Sequence, residues 1–230
     1  MTAVPPPKPR VLVLYYSFSG QTIGLLHRLA DGLRFRGVEV VMERLRPLQP
    51  LRFPVGNVIA TLRMMVATCF RPRVAIDELS AAVRGDYDLI VLAGPTWSYN
   101  PSGPVLALLD RDGKQLLAGR KVLPLISCRG YWRWHWQGLR SKLLACNAAI
   151  VNLMVFTHPQ PEPWRTIGVF LKIAGKAPDR SPFMKRWYSR FGHGRDQQEE
   201  AWRFGLNIGS ALKRGDDLSS LDFRTPAAMP

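Results

Sequence analysis

The sequence predicts an α/β fold, a doubly wound five-stranded parallel sheet formed by a single domain of 230 residues. Three observations carry this expectation. Apolar runs of strand length recur at 11–16, 38–42, 88–93, 121–126 and 149–156. Helical patterns with one apolar face alternate with them, the sequence form of βαβ units with right-handed crossovers. Several of the runs end in turns of Gly, Pro and hydroxyl residues, where such sheets collect their ligands.

The first strand leads into YSFSGQT. Ser17, Ser19 and Thr22 supply hydroxyl donors, Gly20 lets a backbone approach, and the free N–H groups of the next helical turn point at an anion. The stretch reads equally as a phosphate cradle and as an ordinary helix start with a Ser cap. Ile23, Leu26, Leu29, Ala30 and Leu33 then share a helical face, and Gly37 stops the helix before the second strand.

The alternation stops over 44–75, a first insertion that opens with RLRPLQPLRFP. It continues as a helical pattern with Val55, Val58, Ile59, Leu62, Met65, Val66 and Cys69 on one face, and Arg63 is the one charge between Val55 and Phe70. So apolar a helix has to be covered by the rest of the domain, by a second subunit in a homodimer, or by a bilayer surface.

Residues 76–84 read as a short helix, and the third strand runs into GPTWSYNPSGP, after which Pro104 opens a helix carrying Val105, Leu108 and Leu109. The fourth strand, weakened by Pro124, ends in SCRGYWRWHW before a helix at 137–146. After the fifth strand, 157–196 is a second irregular insertion, and 197–214 a last amphipathic helix with Trp202, Leu206 and 208–212 inward. A frayed tail, 215–230, and a flexible Pro-rich lead-in, 1–10, complete the single domain.

Composition limits the function classes. With 47% apolar and 21% charged residues the chain is globular, and 32 Lys and Arg against 17 Asp and Glu give +15, which calls for an anionic partner. Three dispersed cysteines argue against a disulfide framework or a zinc site. No stretch reaches the roughly 20 apolar residues of a membrane span, and no secretory signal is evident, so the expected location is cytoplasmic. Between Trp164 and Arg195 eight basic residues meet one acid, Asp179, and are interleaved with Phe170, Phe183, Trp187, Tyr188 and Phe191. This stretch reads as a lid over a cleft or as a contact for an anionic membrane surface at its inner face. Beside the apolar helix, the membrane gains weight over nucleic acid.

Three loops leave strand ends that would face one cleft: 17–22, 94–103 and 127–136. The first holds Ser17, Ser19, Gly20, Gln21 and Thr22; the second Pro95, Thr96, Trp97, Ser98 and Tyr99; the third Ser127, Cys128, Arg129, Gly130 and Tyr131. A planar aromatic ligand with a phosphate tail matches all three. No residue is singled out as catalytic. Cys128 reads as a redox thiol or a buried structural one, His135 as a proton donor or a packing residue, and Arg129 as a phosphate grip or a solvated side chain.

In these motifs the chain resembles the flavodoxin-like superfamily, whose first loop has the form S/T-x-T-G-x-T and whose third strand runs into a G-[SP]-P-T-W loop. Here those places hold Ser17-Phe18-Ser19-Gly20-Gln21-Thr22 and Gly94-Pro95-Thr96-Trp97. The resemblance implies strand order 2-1-3-4-5 and FMN, with its phosphate on the first loop, its ring flanked by the other two, and Trp97 or Tyr99 stacked on it. YYSFSGQT, PLRFP, the segment 86–90 (DYDLI) and Ser127-Cys128-Arg129 further resemble the flavodoxin-like proteins known as dialkylresorcinol condensing enzymes, which implies a role beside lipid or polyketide biosynthesis. Flavodoxins commonly carry acids in the third loop, where this chain has Arg129 and Arg133. Positive charge there favours the anionic reduced flavin and raises the potential. The expectation is therefore an FMN oxidoreductase that takes electrons from NAD(P)H and passes them to a small hydrophobic, quinone-like or lipid-derived acceptor. An electron carrier, or a flavin-free protein of a biosynthetic assembly, is the alternative.

Overall fold

A computed structural model describes residues 8–228. The expected lead-in lies outside the described residues for 1–7, and Arg10 already opens the first strand. The strands are β1 (Arg10–Tyr15), β2 (Glu39–Arg44), β3 (Leu89–Trp97), β4 (Asn100–Pro101), β5 (Lys121–Cys128), β6 (Ala149–Ile150) and β7 (Met154–Thr157). The helices are α1 (Gln21–Phe35), α2 (Val58–Cys69), α3 (Gly103–Arg111), α4 (Gly113–Leu117), α5 (Trp132–Ala145), α6 (Trp164–Ile173) and α7 (Arg195–Arg214). Only 81–84 of the expected helix at 76–84 is helical, as one 3₁₀ turn.

The sheet has seven strands rather than five, along the path β2-β1-β3-β5-β6, with β4 on β3 and β7 on β5. All pairs are parallel except β3–β4, a two-residue return after the third strand. The other extra strand arises because the expected run 149–156 is split. Val122 pairs with Ile150 and Leu125 with Met154, so three residues stand opposite two, a bulge facing Leu123-Pro124. Proline has no N–H to give a neighbouring strand, and the break falls where that donor is missing. Asn152 holds the bulge: its Oδ1 accepts from Leu153 N–H, and its amide donates to Leu218 O and Leu221 O at 3.0 and 2.8 Å.

Side-chain alternation along β1 sorts the core into two layers. Val11, Val13 and Tyr15 face α1 and α7, whose Leu25, Leu29, Phe204 and Ile208 they meet; Leu12, Leu14 and Tyr16 face Val105, Leu108, Leu139 and Leu143 of α3 and α5. The tail at 215–228 is not frayed. Leu218, Phe223 and Ala228 are buried in the first layer, and Phe223 lies edge-on to Phe204 at 4.8 Å.

The α1–α7 contact is close enough that only glycine fits at its crossing. A Cβ on Gly32 would strike Trp202 O, with Leu206 N at 2.9 Å, and one on Gly205 would strike Leu29 O. Gly205→Ala is therefore expected to destabilise the protein by about 3 kcal/mol, measured as a lowered urea midpoint at unchanged m-value.

Three histidines are buried: His135, His158 and His193. Burial pushes them down from the usual value to about 3, 4 and 4. Once unfolded they bind protons at about pH 6.5, so stability is full above that pH and is lost as pH falls toward 4. The unfolding free energy should drop between pH 6.5 and 5, before carboxylates titrate, with a slope approaching about 1.4 kcal/mol per unit for each histidine. Urea titrations at stepped pH measure it, and a flat profile there contradicts the burial.

Candidate functional site

β1, β3 and β5 finish side by side, with Tyr15 opposite Ala93 and Pro95 opposite Ser127. The loops that follow them therefore meet at one cleft. Of the residues expected there, Ser19, Gln21, Thr22, Pro95, Thr96, Trp97, Ser98, Tyr99, Ser127, Cys128, Arg129, Gly130 and Tyr131 line it. Ser17 and Gly20 belong to the first loop but do not line the cleft.

In that loop Ser17 is buried and its Oγ accepts from Ile23 N–H at 3.4 Å. Gly20 is left-handed, φ +83°, and immediately precedes α1. The cap position is thus Gly20 and not a serine, while Ser17 still takes one N–H of the first turn, that of Ile23. The first turn of α1 has no acid, and its one side-chain acceptor is Ser17 Oγ, on Ile23 N–H at 3.4 Å, so its positive pole can still meet an anion.

The second loop is shorter than expected because β3 continues through Trp97. Ser98 and Tyr99 then turn the chain at φ +45° and +90°. Trp97 packs edge-on to Tyr16 at 5.7 Å and to Phe18 at 6.1 Å, so it belongs to the aromatic floor of the cleft. Tyr99, 46% exposed and edge-on to Tyr131 at 5.6 Å, offers the freer ring. Ser98 Oγ donates to Met65 O at 2.7 Å, and the Asn100 amide donates to Thr68 O and Cys69 O, which fastens α2 to this loop.

The third loop shrinks to 129–131, since β5 runs to Cys128 and α5 starts at Trp132, after Tyr131 at φ +53°. Helical WRWHW takes Arg133 out of the loop and turns His135 inward, where its Nδ1 lies 2.6 Å from Thr96 Oγ1. With its affinity for protons lowered to about 3, His135 is a neutral packing residue. Burial pushes the Cys128 thiol up to about 12 against the pull of Arg165 and Arg129. It stays protonated and is no nucleophile.

Several residues of the cleft carried no local signal in the sequence. Ser127 Oγ lies 2.8 Å from His193 Nε2, and His193 Nδ1 lies 3.0 Å from Gln197 Oε1. Gln197 Nε2 donates to Thr157 O and Ala227 O, so its oxygen must face His193, whose Nδ1 carries the proton. Nε2 is then the acceptor and Ser127 Oγ–H the donor. Arg165, held by Glu162 Oε1 at 3.0 Å, puts its guanidinium 3.2 Å from where a Cβ of Gly130 would sit. Phe53 and Phe191 stack at 5.9 Å, with Phe18 edge-on to Phe53 at 5.3 Å. His158, Val169, Phe170 and Ile173 complete the wall.

The enclosed volume is about 140 Å³, and no Asp or Glu lines it. Among the described residues no three His, Cys, Asp or Glu side chains gather as metal ligands. No described helix is long and apolar enough to cross a membrane.

No family model matches the chain. Among solved structures, a candidate flavoprotein from Bacteroides eggerthii is similar at 17% identity and TM-score 0.50, over 73% of this chain and 99% of that one. A Lactobacillus acidophilus flavoprotein in complex with FMN matches at 18% identity and TM-score 0.45, over 64% and 93% of the two chains. A flavodoxin, WrbA-like protein from Agrobacterium tumefaciens matches at 13% identity and TM-score 0.47, over 90% and 99%. At these identities the likeness is one of fold: the chain is an α/β protein with a parallel sheet, and the solved structures it is similar to are flavodoxin-like flavoproteins.

Proposed function

We propose that the cleft binds FMN and that the protein is an oxidoreductase which passes electrons from NAD(P)H to a hydrophobic, quinone-like or lipid-derived acceptor. The observation that carries this reading is the acid-free start of α1 after Gly20, set beside two aromatic loops in one acid-free cleft. The likeness of fold to the B. eggerthii candidate flavoprotein, and the motifs 17–22 and 94–97, are in keeping with it.

The residues present fit the group. Ser19, Gln21 and Thr22 with the α1 N–H groups would hold its phosphate, and residues 95–99 and 127–131 would flank its ring. The enclosed 140 Å³ is below the roughly 300 Å³ of small ligand sites, so part of a mononucleotide would lie in the open mouth or would displace Phe53 and Phe191. When bound, FMN supplies a ring that accepts hydride and releases electrons singly or in pairs.

The chain's own residues set the terms of that chemistry. Arg129 in the lining and Arg165 behind Gly130 hold positive charge beside the ring position, which favours added negative charge and a raised potential. Ser127 Oγ, its proton committed to His193 Nε2, offers a hydrogen-bond acceptor to a bound ligand, and His193, held near pKa 4 by burial, stays neutral behind it. The resemblance to dialkylresorcinol condensing enzymes, and an apolar wall of Val169, Phe170 and Ile173, support a lipid-derived acceptor.

Purified protein is expected to be yellow or to take up added FMN with quenched flavin fluorescence, and to oxidise NAD(P)H faster when a quinone is present. A colourless protein that leaves FMN fluorescence unchanged overturns the reading. Gly20→Val, which forces a β-branched residue to φ +83°, should weaken FMN at least about tenfold. Arg129→Gln should lower the flavin midpoint potential by tens of millivolts, about 30 mV for each 1.4 kcal/mol in a two-electron couple.

A further inference from the structure

α2 is built inside out. An ordinary surface helix buries its apolar stripe. Here the buried residues are Thr61 and Thr68, bonded to Asn57 O and Met65 O, while Ile59, Leu62, Val66 and the adjoining Phe70 are 65, 51, 60 and 81% exposed. The expectation that the rest of the domain covers this helix is therefore overturned.

α6 extends the face. Its end is joined to the start of α2 by Val55 N–H donating to Ile173 O at 2.8 Å, and by Gly175 against Gly56. Its other end carries Trp164, stacked at 4.7 Å on Trp187, with Phe183 edge-on to Trp187 and 70% exposed. Arg52, Arg63, Lys176, Lys185, Arg186 and Arg190 are exposed on these same segments. None of them takes part in the ion pairs of the described residues.

We propose that α2 and α6 form a docking face for an anionic lipid bilayer, the apolar side of α2 at the acyl boundary and the basic side chains at the phosphates. Charge selects this occupant over a second copy of the chain. Pairing two such faces brings like-charged flanks together in a protein of net charge +15, whereas a bilayer supplies an apolar layer and negative charge at once. The face is also continuous with the cleft, which Met64, Met65 and Thr68 of α2 and Val169, Phe170 and Ile173 of α6 line from inside. An apolar acceptor leaving the bilayer between the two helices would reach the cleft directly. That consequence rests on the redox reading; the docking does not.

The test is sedimentation of the full chain with phosphatidylcholine vesicles, with and without phosphatidylglycerol, at low and raised salt. Binding is expected to the phosphatidylglycerol vesicles, weakened severalfold by salt. Leu62→Asp with Val66→Asp, both at exposed positions, should lower the partition at least about tenfold with the urea midpoint unchanged. Lys185→Glu with Arg186→Glu should remove much of the salt dependence. Three results overturn the proposal: no binding to phosphatidylglycerol vesicles at low salt, binding indifferent to the double aspartate variant, or a dimer in sedimentation equilibrium without lipid that this variant dissolves. Colourless protein that binds vesicles sinks the redox reading and leaves the docking standing.

Discussion

One buried side chain holds the functional end of this molecule together. Gln197 donates to Thr157 O at the end of β7 and to Ala227 O in the tail, and accepts from His193 and from Gly194 N–H. Both ends of its amide are saturated, so it cannot turn over without leaving buried partners unpaired, at roughly 1–3 kcal/mol for each. From that constraint follow the tautomer of His193, the direction of the Ser127 hydrogen bond, and the seating of the second insertion against the sheet. The tail that closes the first core layer depends on the same amide and on Asn152, which anchors it at two further carbonyls.

What the sequence made legible was whatever repeats with a period. β1, β3 and β5, the helix faces of α1 and α7, and the convergence of three loops all follow from local pattern, because strands buried on both faces leave apolar runs and helices leave stripes. What it hid depends on contacts distant in the chain. WRWHW has no amphipathic signature that separates helix from loop, and it becomes α5 because His135 finds Thr96 and Leu139 finds the core. α6, residues 164–173, packs Gly168 closely against Tyr188, a fully buried residue of the same insertion, a contact no local pattern signals. His193 and Ser127 are 66 positions apart, and no spacing rule joins them.

Charge in the cleft is organised by the same long-range packing. The sequence pointed to Arg129 and Arg133, but the start of α5 at Trp132 removes Arg133 from the loop, and Arg165 of α6 comes in behind Gly130. The total is kept while its source moves to the insertion. Arg165 is itself tied to Glu162, which offsets part of its field, so Arg129 is the basic group of the lining with no acid beside it. Cys128, deep below both, is silenced by burial in spite of them.

The two insertions form one layer, and their polarity follows from the loop they cover. Phe53 stacks on Phe191, Val55 bonds to Ile173, and Gly56 meets Gly175, so 44–57 and 158–194 close the same side of the cleft. Beneath them the left-handed turn at 98–99 brings Ser98 and Asn100 inward, and these need hydrogen-bond partners once covered. α2 supplies them from its own backbone at Met65, Thr68 and Cys69. A helix whose last carbonyls are committed to that loop, and whose threonines are turned in to bond backbone carbonyls, has its apolar side left to turn outward. The exposure of Ile59, Leu62 and Val66 is therefore a consequence of satisfying the loop that shapes the cleft, and a cover for that face has to come from outside the fold.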